Sequence, residues 1–323
     1  MAAPVFLVPV QVSGVRSGFR MMMTSAFSAL AIIIIWQFSL LAHAGALGTA
    51  TAALTASSPA ALLLALVMLA WPRFAHVPFV YRALGSGFAA ALLSYPTFAF
   101  AAADPAIQSL FEETFSKTMP GLAQSGVEAV ELWDMVRYVV ASSFGAILLV
   151  FVLFSSWLGT RIGLKARLAY PETVSLDMQS SDLAEGGAPM VDPTTPVAMP
   201  AHQISLPPSL EGFIVPSPLV WALLASWAAI LFNRYVPVPA FAAIAWNIAI
   251  ALSICYGIQG FAVALALAGR VGLASAARLL APITLILLMA SGTAGLVAIG
   301  AFAVLGTLET WIPFRTAHEG DTP

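Results

Sequence analysis

Residues 235–269 form a run of thirty-five amino acids without Asp, Glu, Lys or Arg. A helix needs about 20 apolar residues to cross the hydrocarbon core of a bilayer, so this run is long enough to span one. It nevertheless contains Asn247, Tyr256 and Gln259. Polar side chains are costly in lipid and therefore need partners inside the protein. The run predicts a membrane-spanning helix whose polar residues point into a helix bundle.

The composition of the whole chain supports the same interpretation. Hydrophobic residues make up 60% of the 323 residues, charged residues make up 9%, and the mean hydropathy is +0.93. Soluble domains carry about 25% charged residues, so the composition argues against a soluble enzyme. No basic cluster is present, and nucleic acid is therefore not an expected partner. The expected fold class is all-α, a polytopic transmembrane helix bundle surrounded by the lipid bilayer.

The cysteine and histidine residues and a search for common catalytic motifs give no indication of metal binding or catalysis. Cys255 is the one cysteine, and it is expected to be a small buried thiol within the uncharged run. The four histidines are scattered without metal-ligand spacing. The motifs H-E-x-x-H, G-x-S-x-G and the P-loop do not occur. We therefore expect no metal, no cofactor and no catalytic residue, and a protein that is not an enzyme.

Charged residues divide the apolar sequence into about eight predicted spans. Pro59 interrupts the second span, and a kinked helix is favoured there because neighbouring helices can satisfy a freed carbonyl. A re-entrant break is the alternative. Thirty uncharged residues precede Glu309 and would form a single helix of roughly 45 Å, so a hairpin of two short helices is favoured. The predicted spans are residues 22–42, 51–71, 84–103, 139–158, 218–232, 241–267, 281–290 and 296–307.

The distribution of Lys and Arg predicts the orientation of these spans. With the N-terminus in the cytoplasm, the inside segments carry ten of these residues and the outside segments carry three. This is the positive-inside pattern, and it predicts that both termini lie in the cytoplasm. The expected location of the bundle is the bacterial inner membrane. A cleaved signal peptide is the alternative for the first span, since Ala42-His43-Ala44 has the form of a cleavage site.

Two polar segments interrupt the hydrophobic pattern and divide the chain. Residues 104–135 are acidic and are predicted to form two short amphipathic helices outside the membrane, with Asp104 as the N-cap of the first. A solvated connector is the alternative. Residues 171–208 are rich in proline and acids, and we expect a disordered cytoplasmic insert. The predicted organisation is an N-terminal membrane half at 1–170, this insert, and a C-terminal membrane half at 209–323.

The long uncharged run carries the candidate site. Ser253, Tyr256 and Gly260 lie on one helical face, Gln259 lies close to that face, and Asn247 lies nearer the outer end. In one interpretation the polar side chains line a cavity and bind a small molecule. In the other, the two amides bond to neighbouring helices, with each bond worth about 1 kcal/mol. The sequence leaves both interpretations open.

Structural roles are predicted for five residues. Gly257 follows a serine in a small-x-x-x-small pair, which predicts the close approach of a second helix, and Gly260 lies on the same helix. Trp311 is expected at a membrane interface. Arg315 is near enough to Glu309 in sequence to form an ion pair. An anchoring role is therefore favoured over a catalytic one for these two charged residues.

Two stretches carry a resemblance to a known family. The sequence from Tyr256 to Ala262, with Asn247 before it, resembles the N…Y-x-x-Q-G-hydrophobic-A signature of the YybS-like family of bacterial integral membrane proteins. The ending from Gly306 to Arg315 resembles that family's terminal G-x-x-D-x-W-x-x-F-R, with Glu in place of Asp. The resemblance covers residues 210–315, whereas the N-terminal half matches only in hydropathy.

The YybS-like family is similar to the substrate-binding S-components of energy-coupling-factor vitamin transporters. That similarity implies a small-molecule-binding, transport-type membrane subunit, energised by other membrane subunits and separate ATPases. Its candidate ligand contacts, taken from their place on the sixth span, are Asn247, Ser253, Tyr256 and Gln259. The alternative function is a non-transporting scaffold or assembly factor that binds protein partners through residues 171–208.

Overall fold

The computed structural model describes residues 3–43, 46–118, 129–169, 204–273, 276, 284 and 293–315. Within these residues the regular secondary structure is helical and contains no strand. The α-helices in this part of the chain are α1 (Ala3–Ser17), α2 (Phe19–His43), α3 (Ala46–Ala70), α4 (Phe79–Ala102), α5 (Pro105–Thr118), α6 (Ala129–Ala169), α7 (Leu219–Asn233), α8 (Pro239–Arg270) and α9 (Thr293–Leu308).

Four of the described helices are long and apolar enough to cross a membrane. They contribute the candidate spans Phe19–Gln37, Phe79–Ala102, Val130–Leu168 and Phe241–Arg270. Shorter apolar helices occur at Ser57–Ala70, Leu219–Asn233 and Val297–Leu308. The all-helical fold and the membrane class are thus confirmed, whereas the count of eight spans and the orientation stay predictions. The predicted span at 281–290 lies outside the described residues, apart from residue 284.

Large apolar side chains cover much of the protein surface, as a lipid environment requires. Trp36, Phe88 and Trp221 are among the exposed ones, and each is more than 60% exposed. A water-soluble monomer rarely exposes contiguous apolar patches of more than a few hundred Å². These faces are therefore suited to contact with acyl chains.

The prolines within α3 and α4 do not end their helices. Pro59 lies inside α3 and Pro96 lies inside α4, and both helices continue past them. Proline is tolerated inside a membrane helix because neighbouring groups can satisfy the freed carbonyl. The structure therefore has a continuous helix at Pro59 and not the re-entrant break that was the alternative.

The polar segment at 104–135 is organised differently from its prediction. Asp104 does cap α5, because its Oδ1 accepts a hydrogen bond of 2.9 Å from the N–H of Ala106. The predicted second external helix, however, is the first part of α6, which runs for 41 residues without a break. A helix of that length measures roughly 60 Å. It therefore extends well beyond a core of about 30 Å.

Helix α1 was not predicted from the sequence. It contains Pro9 and buries Leu7, Val10 and Gln11. Gly18 separates it from α2 with a φ of 85°, a backbone conformation that glycine adopts without the steric cost of a Cβ atom. No structure was predicted from the sequence for this segment.

The chain divides into two compact units. The first comprises Met1–Val77, Leu92–Ala101 and Val150–Pro207, and within it α1, α2 and α3 pack against one another. Ile204 is buried in this unit, and the N–H of Ser205 bonds to the carbonyl of Ala70 at 3.1 Å. The predicted disordered insert therefore has to end before residue 204, and its residues 171–203 lie outside the described part.

The second unit comprises Pro78–Ala91, Ala102–Leu149 and Pro208–Pro323. Helix α8 is central to this unit and packs against both α7 and α9. Its buried residues include Ala249, Leu252 and Val263. All the predicted site residues belong to this unit.

Candidate functional site

Gln259 joins three separate segments of the second unit. It is 2% exposed and lies in the C-terminal half of α8. Its Oε1 accepts a hydrogen bond of 2.7 Å from the N–H of Val215, which lies in the irregular segment before α7. Its Nε2 donates to the carbonyl of Gly306 at 3.1 Å and to Oε2 of Glu309 at 2.9 Å. Both protons of the amide nitrogen are therefore used within the protein.

One of these bonds caps the C-terminus of α9. The last four carbonyls of an α-helix have no partner within the helix and need one from elsewhere. Three of them accept from backbone N–H groups that follow α9, and the fourth, that of Gly306, accepts from the Gln259 amide. A side chain from α8 thus completes the end of α9.

Glu309 and Arg315 form a largely buried ion pair next to Gln259. Arg315 Nε donates to Glu309 Oε1 at 2.5 Å, and Nη2 donates to Oε2 at 2.6 Å. The side chains are 8% exposed for the acid and 14% exposed for the base. This two-bond geometry is the strong form of an arginine–carboxylate pair. The two charges neutralise each other within the cluster.

The same arginine also holds the irregular segment before α7. Its Nη1 donates to the carbonyl of Glu211 at 2.6 Å, and its Nη2 donates to the carbonyl of Phe213 at 3.0 Å. Arg270, at the end of α8, donates to the carbonyl of Phe314 at 2.6 Å. Residues 211–215, the end of α8 and residues 309–315 are therefore tied together. We call the set of Gln259, Arg270, Glu309 and Arg315 the C-terminal latch.

Glycine residues bring α8 and α9 into backbone contact. A Cβ atom on Gly260 would overlap the carbonyl oxygen of Phe302, and one on Gly306 would overlap the carbonyl oxygen of Tyr256. These pairs show that the two helices run antiparallel. Gly257 does not take part, because no described atom lies within 4 Å of a Cβ built there. The close approach predicted at Gly257 is thus found one turn later, at Gly260.

Asn247 bonds to a single turn of α6. Its Oδ1 accepts from the N–H of Gly145 at 2.7 Å, and its Nδ2 donates to the carbonyl of Ala141 at 2.9 Å. These two backbone groups are the i and i+4 partners of one helical turn. The second amide proton is donated to the carbonyl of Ala243 at 2.9 Å, within α8. The side chain therefore fixes α8 against α6.

Two buried hydroxyls lie next to each other in the same unit. The Tyr256 hydroxyl interacts with the Thr310 hydroxyl as a side-chain hydrogen-bond partner. Neither oxygen has another hydrogen-bond partner among the described residues. Tyr256 is 0% exposed. Ser253 lies one turn earlier on α8 and is only partly buried.

The remaining predicted residues have simpler environments. Trp311 is 56% exposed, as an interfacial aromatic side chain can be. Cys255 is a free, buried cysteine on α8. No group of three or more His, Cys, Asp or Glu side chains that could hold a metal occurs within the described ranges.

Sequence reasoning missed a polar contact in the first unit. Gln11 of α1 is 1% exposed and donates to the Thr160 hydroxyl of α6 at 3.2 Å. Its side chain lies against Gly159, and Val15 lies against Gly163. The signal was the spacing of these two glycines, which marks a face that another helix can approach closely.

Residues 201–302 match the family described as Predicted membrane protein (DUF2232). The match covers about a third of the chain and includes α7, α8 and the first part of α9. No curated protein and no solved structure matches the chain. Over this region the chain is similar to a family of predicted membrane proteins, in agreement with its apolar helices.

Proposed function

We propose that this chain is a non-transporting membrane scaffold or assembly factor that acts through protein partners. The observation that carries the proposal is the state of the two amides that were the main candidates for ligand contacts. Asn247 and Gln259 both donate their amide protons to acceptors within the protein. A ligand at either residue would first have to break these bonds.

The cost of breaking them supports this choice. Removing the partner of a buried backbone group costs about 1–3 kcal/mol for each group left unsatisfied. Gln259 alone serves the N–H of Val215 and the carbonyl of Gly306. A small ligand would have to replace both bonds at once. An arrangement of this kind favours a fixed platform over an exchangeable binding site.

The proposed contact to partners is the segment at 171–208. It contains the acids Glu172, Asp177, Asp182, Glu185 and Asp192, and it has no Lys or Arg. A segment with this composition suits a partner that offers a basic surface. Charge complementarity of this kind is weakened by salt, because the Debye length falls to about 3 Å at 1 M.

The experiment compares the full-length protein with a variant in which those five acids are replaced by Asn or Gln. Both are purified in mild detergent, and the retained proteins and small molecules are quantified by mass spectrometry. We expect a stoichiometric partner protein that is lost from the variant and at high salt. A variant with Glu112 and Glu113 neutralised is the control and should keep the partner. A stoichiometric small molecule that disappears on Gln259→Leu substitution would contradict the proposal.

A transport-type, small-molecule-binding subunit with separate energising partners is the second candidate. One observation favours it: the buried hydroxyls of Tyr256 and Thr310 have no described hydrogen-bond partner other than each other and could contact a ligand. The resemblance to the YybS-like family and to S-components points in the same direction. A compound that raises the melting temperature of the wild type but not of the Tyr256→Phe variant would establish this function instead.

A further inference from the structure

Four segments of the first unit carry exposed basic side chains. These segments are the end of α1, the start of α2, the short 3₁₀ helix Pro72–Phe74 that follows α3, and the last part of α6. The described residues of this unit contain no Asp or Glu. The basic residues, all of them exposed, are Arg16, Arg20, Arg73, Arg161, Lys165 and Arg167.

Contact between α1 and α6 brings the first of these segments together. A Cβ atom built on Gly163 would meet the side chain of Val15. Val15 precedes Arg16 in α1, and Gly163 lies two residues from both Arg161 and Lys165 in α6. The C-terminal end of α1 therefore lies beside the basic part of α6.

Aromatic contacts bring α2 and the 3₁₀ helix to the same end of the unit. Only one residue separates α1 from α2. The ring of Phe19, next to Arg20, lies 5.6 Å from the ring of Trp71 between centroids. The Trp71 ring lies 6.3 Å from that of Phe74, which follows Arg73. The basic residues of all four segments thus lie at one end of the unit, and we call the six together the basic face.

The basic face lies where the headgroups of a bilayer would be. Arg20 is at the start of the candidate span Phe19–Gln37. Trp71 is 37% exposed directly after the apolar helix Ser57–Ala70. Tryptophan is enriched at the level of the lipid headgroups. The guanidinium and ammonium groups beside this ring are therefore within reach of lipid phosphates.

The charges of the basic face are not neutralised by described residues of the protein. None of the six forms an ion pair with a described residue, whereas Lys117 and Arg137 of the second unit each pair with an acid. A cluster of 4–8 Lys and Arg next to a membrane helix is typical of proteins that bind anionic lipids. We propose that the basic face binds the phosphate headgroups of anionic phospholipids.

Native mass spectrometry of the full-length protein in mild detergent tests this inference. The delipidated protein is titrated with phosphatidylglycerol or with phosphatidylcholine, and the bound lipids are counted. We expect the wild type to bind phosphatidylglycerol more tightly than phosphatidylcholine. A higher concentration of ammonium acetate should weaken only the binding of phosphatidylglycerol, because salt screens exposed charges. This comparison requires no substitution.

A triple variant with Arg73→Gln, Arg161→Gln and Lys165→Gln locates the binding. Each basic residue near an anionic surface contributes about a fivefold gain in affinity. Loss of three should therefore weaken the binding of phosphatidylglycerol by at least about tenfold and leave that of phosphatidylcholine unchanged. The matched control removes two Arg and one Lys from the second unit, and it should bind both lipids as the wild type does. Its substitutions are Lys117→Gln, Arg137→Gln and Arg234→Gln.

Three outcomes would overturn the inference. The wild type could bind both lipids equally, the basic-face variant could keep its affinity for phosphatidylglycerol, or the control could lose as much affinity as that variant. Tight binding of phosphatidylglycerol only after the five acids of 171–208 are neutralised would also contradict it, because the chain's own acidic segment would then cover the basic face. An unchanged melting curve shows that each variant is folded. Lipid binding at this face is independent of whether the protein is a scaffold or a transport subunit.

Discussion

Substitution of Gln259 by leucine is the most direct test of the C-terminal latch. Leucine is similar in size and is apolar, so the substitution removes the hydrogen bonds while keeping most of the packing. It leaves the N–H of Val215 and the carbonyl of Gly306 without their partner. Val215 is buried and lies in an irregular segment, where no helical neighbour can take over the bond of its N–H. Glu309 keeps its pair with Arg315.

The expected cost follows from the two orphaned backbone groups. Each buried group left unsatisfied costs about 1–3 kcal/mol, and burial of the apolar leucine side chain offsets part of this loss of stability. We therefore expect Gln259→Leu to lower the free energy of unfolding by about 3 kcal/mol. For chains of 150–250 residues, 1 kcal/mol shifts the melting temperature by about 2–4 °C, and the shift is smaller for longer chains. This chain has 323 residues, so at about 2 °C per kcal/mol or less the decrease is expected to be up to roughly 6 °C.

Asn247→Leu is the matched substitution on the same helix. It removes bonds to the N–H of Gly145 and the carbonyl of Ala141, but these two groups can bond to each other as helical i and i+4 partners. The cost should therefore be near the average of about 0.6 kcal/mol for a side-chain hydrogen bond between membrane helices. The two substitutions thus differ in whether the backbone has another partner.

Thermal unfolding followed with a thiol-reactive dye measures the stability loss of both variants. Cys255 is the single cysteine and is buried, so the dye reacts when the protein unfolds. Circular dichroism gives a second melting curve that does not depend on that helix alone. The Gln259→Leu protein should melt several degrees below the Asn247→Leu protein by both methods. If the two melt at the same temperature, or if the Asn247→Leu protein melts lower, the reasoning on backbone partners is wrong.

Two further predictions concern the latch and the helix crossing. Glu309→Gln should lower the free energy of unfolding by about 2–3 kcal/mol, because it leaves the largely buried charge of Arg315 without its counter-ion. The effect should persist at high salt, unlike that of Glu113→Gln in the exposed pair with Lys117, which should cost less than about 1 kcal/mol. Gly306→Ala should cost about 1–3 kcal/mol by forcing the helices apart. Both are checked by the same melting curves.

Gly300→Ala is the control for the helix crossing. It lies on the same helix as Gly306, but no described atom lies within 4 Å of a Cβ built there. Alanine is favoured over glycine in a helix by about 0.5–1 kcal/mol. We expect the Gly300→Ala protein to be as stable as the wild type or slightly more stable. If the two alanine variants lost the same stability, the backbone contact with α8 would not be the cause of the effect of Gly306→Ala.

The sequence predicted the helical class because hydropathy and charge spacing depend on local composition. Helices α2, α4 and α8 lie where the apolar segments indicated. Helix α1 was missed because its stability comes from tertiary contacts, such as that of Gln11 with Thr160. The junction of the external segment with α6 was missed because a change from polar to apolar composition need not end a helix.

The site was predicted only in part, since a residue's partners depend on the fold. Helical spacing identified Gln259 and Asn247 as polar groups that need partners, but it could not choose between a ligand and the backbone. The bond to the N–H of Val215 joins residues 44 positions apart. The small-x-x-x-small spacing favoured Gly257 for the close approach, and only the crossing point of α9 shows that Gly260 takes this role.

The glycine crossing and the Gln259 cap depend on each other, because both act at Gly306. The absence of a Cβ atom lets α9 lie against α8, and this contact brings the Gly306 carbonyl within reach of the Gln259 amide. A methyl group at position 306 would push the helices apart and weaken the same hydrogen bond that Gln259→Leu removes. Neighbouring sites of this kind show coupling energies of about 0.5–3 kcal/mol.

A double-mutant cycle of Gly306→Ala and Gln259→Leu measures this dependence. The double variant should lose less stability than the sum of the two single losses, by about 1 kcal/mol, because the bond can be lost only once. Gly300→Ala combined with Gln259→Leu should be additive, since Gly300 contacts no described neighbour. Additivity within about 0.5 kcal/mol for the first pair would show that the carbonyl cap survives helix separation. The close approach of the helices would then serve packing alone.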